Sequence, residues 1–314
     1  MKIVLQYAAS PGFRARIDEA FAGPDPVIVL DETDEAAFAD QMREATVLLH
    51  VLKPVTAAVI AAAPCLRLIQ KIGVGVNTID LDAARAHGVS VANMPGTNSA
   101  AVAEAALALM LGVLRRTVYL HDLTRSGQGW RPDPCVLDQT GEIGGRTVGL
   151  VGFGESARRL APVLVALGAE VIYTARQEKP DLPYRFRSLP ALLAEADIVS
   201  LHAPLTHQTQ GMICDTAISG MKRGAILINT ARGGLVDEAA LWRALVSGQL
   251  RGAGLDVFAV EPADADNPLF ALPQVLLSPH VAWLTPETLR RSLTLARENC
   301  RRLATGEALL HRVA

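Results

Sequence analysis

Short β-branched runs alternate with alanine-rich stretches along nearly the whole chain, and no other feature restricts its fold as much. In the first third, residues 3–7, 27–30, 46–51, 67–72 and 89–92 read as strands, and 13–21, 35–43, 56–63 and 81–87 between them read as helices. A strand that pairs parallel to its predecessor needs a long crossover, usually a helix. The alternation therefore predicts an α/β chain with parallel sheets covered by helices on both faces. A buried helix at 100–116 follows, with Asn98 or Ser99 as its N-cap. The polar, Gly- and Pro-containing stretch 117–145 has weak periodicity and reads as a domain linker or a functional arm. Six further strands are expected at 147–151, 170–173, 197–201, 225–229, 252–257 and 275–277, then an amphipathic helix at 286–303.

A length of 314 residues suggests two domains at about 150 residues each. Half of the residues are apolar and 20% are charged, enough for a sizeable core and against wholesale disorder. A net charge of −2 without long charge blocks argues against nucleic acid and against an anionic membrane, and for a small partner. Cys65, Cys135, Cys214 and Cys300 are far apart and lack zinc spacing, so reduced cytosolic thiols are expected, with neither disulfides nor a metal. The start has too short an apolar run for a secretory signal. The apolar stretch 100–114 is broken by Glu104 and closed by Arg115 and Arg116, short of the ~20 residues of a membrane span. A cytoplasmic protein is the expectation.

Residues 147–157 run a strand into a G-x-G-x-x-A turn and a helix. Gly152 permits the tight turn, Gly154 lets a pyrophosphate approach, and Ala157 allows close packing. The N–H groups around Glu155 and Ser156 then face the phosphates. Pro162 is expected to kink this helix. About 20 residues after the loop an NAD-selective site places an acid. Here the strand end reads Tyr173-Thr174-Ala175-Arg176, with Ala175 at the acidic position. A guanidinium pairs with a 2′-phosphate where a carboxylate repels it, so NADP(H) is preferred and NAD(H) possible, with Thr174 a second donor. Arg176 stacked on adenine or turned to solvent is the alternative.

Three further segments follow strands, where open α/β sheets collect ligands. They are 229–234, 254–262 and 278–283, and they bring Arg232, Glu261 and His280 from neighbouring loops. Reduction of a carbonyl needs a cation for the substrate carboxylate, an acid for the forming alkoxide and a carboxylate to keep that acid charged. Arg232, His280 and Glu261 supply these. Arg232 as a structural ion-pair former is the weaker reading, because Gly233 and Gly234 favour close ligand approach.

With these segments, and with Lys71-Ile72-Gly73-Val74-Gly75-Val76-Asn77, Pro95-Gly96-Thr97-Asn98, Val102-Ala103-Glu104 and Leu201-His202-Ala203-Pro204-Leu205-Thr206, the chain resembles the D-isomer-specific 2-hydroxyacid dehydrogenases over nearly its whole length. The resemblance implies that Arg232 binds the keto acid, that His280 is the acid/base and that Glu261 hydrogen-bonds it. It also implies that the Val74 and Gly75 backbone grips the substrate carboxylate, that Asp256 orients the nicotinamide carboxamide, and that Ala203, Pro204 and Thr230 line the cofactor. It implies two Rossmann-like or flavodoxin-like lobes with a cleft, 1–98 with 287–314 for the substrate and 99–286 for the dinucleotide. The second is inserted into the first, and 117–145 is the arm of a homodimer.

The strand end at Arg176 looks like that of NADPH-preferring glyoxylate and hydroxypyruvate reductases, so a small anionic keto acid is the expected substrate. Phosphoglycerate dehydrogenase is placed second, for want of room after Ala314 for the extra domain common in that group; formate or phosphite dehydrogenase and a nucleotide-sensing corepressor-like protein are further alternatives. Asn77, Ser156 and Trp283 depart from the family's usual residues. Lys71 reads as a strand-end lysine turned to water, with a substrate phosphate as its alternative. His50, His202 and His207 read as structural, and Trp130 and Trp283 are as readily packing residues as substrate contacts.

Overall fold

The computed structural model describes residues 1–314. The chain forms two units: Met1–Asn98 with Trp283–Ala314, and Ser99–Ala282 inserted between them. The return to the first unit comes at Trp283, ahead of the expected 287.

In the first unit β1 (Ile3–Gln6), α1 (Pro11–Ala20), β2 (Val27–Leu30), α2 (Glu35–Met42), β3 (Val47–His50), α3 (Ala57–Ala61), β4 (Leu68–Lys71), α4 (Leu81–Ala86) and β5 (Ser90–Ala92) alternate as the sequence pattern requires. The sheet is parallel, in the flavodoxin-like order β2-β1-β3-β4-β5. Every residue of β1, β3 and β4 is buried, as expected of strands covered on both faces. Each of the four helices starts at a side chain that accepts a first-turn N–H: Ser10, Asp34, Thr56 and Asp80. Such a cap contributes about 1 kcal/mol. The edge strand β5 is covered by the C-terminal residues, with Val91 bonded to both Val313 and Ala314, which blunts an otherwise open edge.

The inserted unit begins with α5 (Ser99–Leu114), which starts at Ser99 itself, followed by α6 (Thr117–Arg125) and α7 (Pro134–Leu137). The weakly periodic stretch read as a linker or functional arm holds two short helices. Neither buries a residue, and Trp130 between them is 91% exposed, so no apolar periodicity marks them. Then come β6 (Thr147–Val151), α8 (Glu155–Ala166), β7 (Glu170–Thr174), β8 (Arg185–Phe186), α9 (Leu189–Glu195), β9 (Ile198–Leu201), α10 (Asp215–Ser219), β10 (Ala225–Asn229), α11 (Glu238–Val246), β11 (Leu250–Leu255) and β12 (Val275–Leu277). The parallel order is β12-β11-β10-β9-β6-β7-β8, a Rossmann sheet with one added strand. The two-residue β8, paired with β7, is the seventh strand that the sequence pattern did not resolve. Helix α8 continues through Pro162. Both Pro162 and Arg158, whose carbonyl loses its partner, are exposed, so water can replace the missing bond. The chain then returns as α12 (Pro286–Thr305), where fully buried Asn299 bonds Gln70 at 2.6 Å.

His50, at the end of β3, is buried, and its Nε2 donates to the Lys53 carbonyl at 2.7 Å, leaving buried Nδ1 without a partner. Burial, then the Lys71 charge, pushes this imidazole down from 6.5 to about 3. Because the folded value is depressed, the group's stabilisation is complete above pH 6.5 and is lost as pH falls toward 3. One such group gives a slope of at most about 1.4 kcal/mol per pH unit. His50→Gln is expected to flatten the pH dependence of urea unfolding between about pH 6 and 4, whatever its effect at neutral pH; an unchanged slope would contradict a neutral, buried His50.

Candidate functional site

Loops after three strands of the inserted unit meet at Gly152, whose φ is +90° and whose N–H donates to the Thr174 carbonyl at 2.9 Å. A Cβ there would lie 2.7 Å from Ala203 N and from the His202 carbonyl, so both the turn and the close approach demand glycine. Gly154 faces open space, with nothing within 4 Å of its missing Cβ. Helix α8 begins there without a side-chain cap, so the first-turn N–H groups of Glu155, Ser156 and Ala157 have no partner in the chain.

The end of β7 is fixed from below. The Tyr173 ring is fully buried, 4.8 Å from Phe153 and 5.5 Å from Phe186, and its hydroxyl accepts from Lys179 N at 2.8 Å and donates to Lys179 O at 3.2 Å. The short loop between them is thereby closed on itself. Thr174 is half-buried at the strand end and Arg176 is exposed on this loop.

Arg232, Glu261 and His280 come from the loops after β10, β11 and β12, three adjacent strands. Asn229, fully buried at the end of β10, holds the first loop: its Oδ1 accepts from Ala231 N at 3.0 Å and its Nδ2 donates to the Arg232 carbonyl at 2.9 Å. Gly233 packs so tightly on the next loop that a Cβ would fall 1.9 Å from the Phe258 carbonyl carbon. Glu261 Oε1 accepts from the Phe258 N–H at 2.9 Å, and Oε2 lies 2.6 Å from His280 Nδ1. The acid, its carboxylate and the arginine loop are thus locked to one another.

Burial pushes the Glu261 carboxyl up. Hydrogen bonds from His280 and Phe258, with the His280 and Arg232 charges, outweigh it and hold the group below the ordinary carboxylate value. Burial pushes the Arg232 guanidinium down, and the Glu261 charge opposes this.

Asp256, fully buried, accepts the Val281 and Ala282 N–H groups on its two oxygens at 2.9 and 3.0 Å, and its carbonyl accepts the His280 N–H at 2.7 Å. This holds His280 at φ +56°, a left-handed conformation unusual for a residue with a Cβ. Burial raises the Asp256 carboxyl, against hydrogen bonds from Ser278, Ala282 and Val281. Its part in shaping the His280 turn was not apparent in the sequence. An aspartate just after one strand and a histidine just after the next carry no local signal of the bond.

Residues 107–282 match the family model described as D-isomer specific 2-hydroxyacid dehydrogenase, NAD binding domain. The chain belongs to the D-isomer specific 2-hydroxyacid dehydrogenase family. It is 41% identical to the D-3-phosphoglycerate dehydrogenase of Mycobacterium leprae over 289 residues, 91% of this chain and 52% of that protein. It spans about half the length of the curated phosphoglycerate dehydrogenases it matches. It is 38% identical to the glyoxylate reductase of Aeropyrum pernix over 274 residues, 84% of this chain and 82% of that one. A crystal structure of a protein from Thermus thermophilus superposes with a TM-score of 0.90 at 37% identity, covering all of both chains. Both substrate classes therefore stand among the relatives at similar identity, and the expectation that set phosphoglycerate dehydrogenases behind the reductases gains nothing from it.

The residues of this family member fit a dinucleotide. The uncapped first turn of α8 and the open space over Gly154 suit a pyrophosphate. The buried Thr230 hydroxyl has no partner within the chain. Ala203 and Pro204 follow β9, beside the Gly152 turn.

In the first unit, the loop after β4 exposes Val74, whose carbonyl accepts from Asn93 Nδ2 at 2.9 Å, while the Val74 and Gly75 N–H groups donate to no carbonyl of the chain. Lys71 corrects its expected exposure: it is buried, and its Nζ donates to the Val51 carbonyl. Trp283 is also buried. His202, whose Nε2 is 2.9 Å from Ser200 Oγ, has its imidazole pushed down to about 4 by burial.

Proposed function

We propose that the protein reduces a small 2-keto acid of the glyoxylate or hydroxypyruvate kind to the D-2-hydroxy acid, with NADPH preferred over NADH. The Glu261–His280 pair, 2.6 Å apart and one loop from Arg232, carries this reading. A bound reduced nicotinamide supplies the hydride. His280 delivers a proton from Nε2 to the forming alkoxide, its Nδ1 side being held by Glu261, and Arg232 binds the substrate carboxylate and polarises its carbonyl. The Val74 and Gly75 N–H groups give the carboxylate a second set of donors. Gly152, Gly154, Glu155 and Ser156 hold the pyrophosphate; Arg176 and Thr174 hold the 2′-phosphate; Ala203, Pro204 and Thr230 line the cofactor, with Asp256 at its nicotinamide end. Residues 1–98 with 283–314 serve the substrate, and 99–282 the dinucleotide. Burial of Lys71, which turns its ammonium inward to the Val51 carbonyl, favours an unphosphorylated acid. The exposed Trp130 and Leu137 of the 117–145 arm support its packing on a second copy of the chain.

The test is steady-state oxidation of NADPH and NADH with glyoxylate, hydroxypyruvate and 3-phosphohydroxypyruvate. Higher kcat/KM for the first two is expected. The opposite order refutes the substrate assignment, and nucleotide binding without any turnover favours a sensor. Arg176→Ala is expected to shrink the NADPH/NADH preference by about 10- to 100-fold, the worth of a charge-assisted pair. An unchanged ratio would remove Arg176 from the 2′-phosphate.

A further inference from the structure

The 117–145 arm leaves and re-enters the inserted unit at one place, where the Gly141 N–H donates to the Leu114 carbonyl at 2.9 Å. Three arginines gather at this neck. Arg116 precedes α6 in a left-handed conformation, φ +51°; Arg146 follows the return; Arg251 projects from β11. A methyl group placed on Gly141 would lie 2.7 Å from Arg146 Nη2 and 3.5 Å from Arg251 Nη1, so these two guanidiniums border the same small space. Arg146 and Arg116 are both close enough to depress the Arg251 guanidinium, adding to the larger effect of burial.

No carboxylate answers these charges. The ion pairs of the chain use other residues. Arg146 Nε donates to the Glu142 carbonyl at 2.6 Å, and the Arg116 guanidinium lies 5.3 Å from the centre of the Tyr119 ring. Arg116 Nε, Arg251 Nε and Arg251 Nη2 are buried with no acceptor. Buried donors of charged groups are costly when unpaired, and like charges at this range repel. Each of the three residues is half-buried as a whole.

The missing group has to accept hydrogen bonds from several directions and carry more than one negative charge to offset three guanidiniums. A tetrahedral oxyanion meets these conditions, and arginine suits its geometry. We propose that Arg116, Arg146 and Arg251 form a binding site for a divalent oxyanion of the phosphate or sulfate class, which ties both roots of the arm to β11.

Thermal unfolding of the full chain in inorganic phosphate, sulfate or chloride at matched ionic strength tests this. Phosphate and sulfate are expected to raise Tm by about 3 °C over chloride. Arg251→Met is expected to raise Tm in chloride by about 2 °C, because it removes an uncompensated charge, and to abolish most of the phosphate response. Arg146→Gln, a milder change, is expected to lose that response as well. Arg176→Ala, at the proposed 2′-phosphate position, should keep it. An equal effect of chloride overturns the site, as does a full phosphate response in both neck variants. Lower Tm of both variants in chloride, together with dissociation on sedimentation, also overturns it, because the guanidiniums then serve a contact between subunits.

Discussion

Arg232→Ala is expected to lower kcat/KM for a 2-keto acid by about 10³-fold, with little change in unfolding midpoint; the size follows from the loss of a positioned donor pair and charge on the substrate. The small structural cost follows from how the loop is built. Asn229 grips the backbone at Ala231 and Arg232, and Gly233 rests on the Phe258 carbonyl, so the loop is held by groups other than the arginine side chain. The guanidinium itself donates to the Ala231 carbonyl at 2.6 Å through Nη1. Arg232→Lys keeps the charge but loses the fork that matches a carboxylate, so an intermediate loss is expected, chiefly in KM. Steady-state kinetics with thermal unfolding on the same samples measure both. Near wild-type kcat/KM for every accepted keto acid would remove Arg232 from substrate binding.

Two chemical regularities made most of the fold legible before any coordinates. Parallel strands covered on both faces are predominantly apolar, which is why β3, β9 and β10 stand out as runs with a single polar residue each. A tight turn that brings backbone against backbone must use glycine, which is why Gly152 and Gly233 mark the two loops that matter. What escaped notice lacks such marks. Helices α6 and α7 bury nothing and so have no apolar stripe. Strand β8 has two residues, too few for a pattern. Lys71 looked like a solvated strand end, because nothing in its neighbours announces that its ammonium folds back on the Val51 carbonyl. The Asp256 bonds to Val281 and Ala282 join residues that are remote in the chain, and only the pairing of β11 with β12 brings them together.

That long-range support determines what happens when His280 is replaced. The left-handed backbone at His280 costs about 1 kcal/mol for a residue with a Cβ, and the Asp256 bonds sustain it. Asparagine enters this conformation more readily than other residues, so His280→Asn is expected to fold with a midpoint close to that of the parent chain while losing the proton donor. A fall in kcat of about 10³-fold is expected, within the range for removal of a general acid. Glu261→Gln isolates the carboxylate's share. Its amide oxygen can still accept the Phe258 N–H, which Glu261 now takes at 2.9 Å, but it places no negative charge on His280 Nδ1. The imidazole then loses the partner that fixes its ring and offsets its charge, so kcat at about neutral pH should fall by about 10- to 100-fold. If Glu261→Gln kept kcat at the parent level, the 2.6 Å contact would be removed from the reaction.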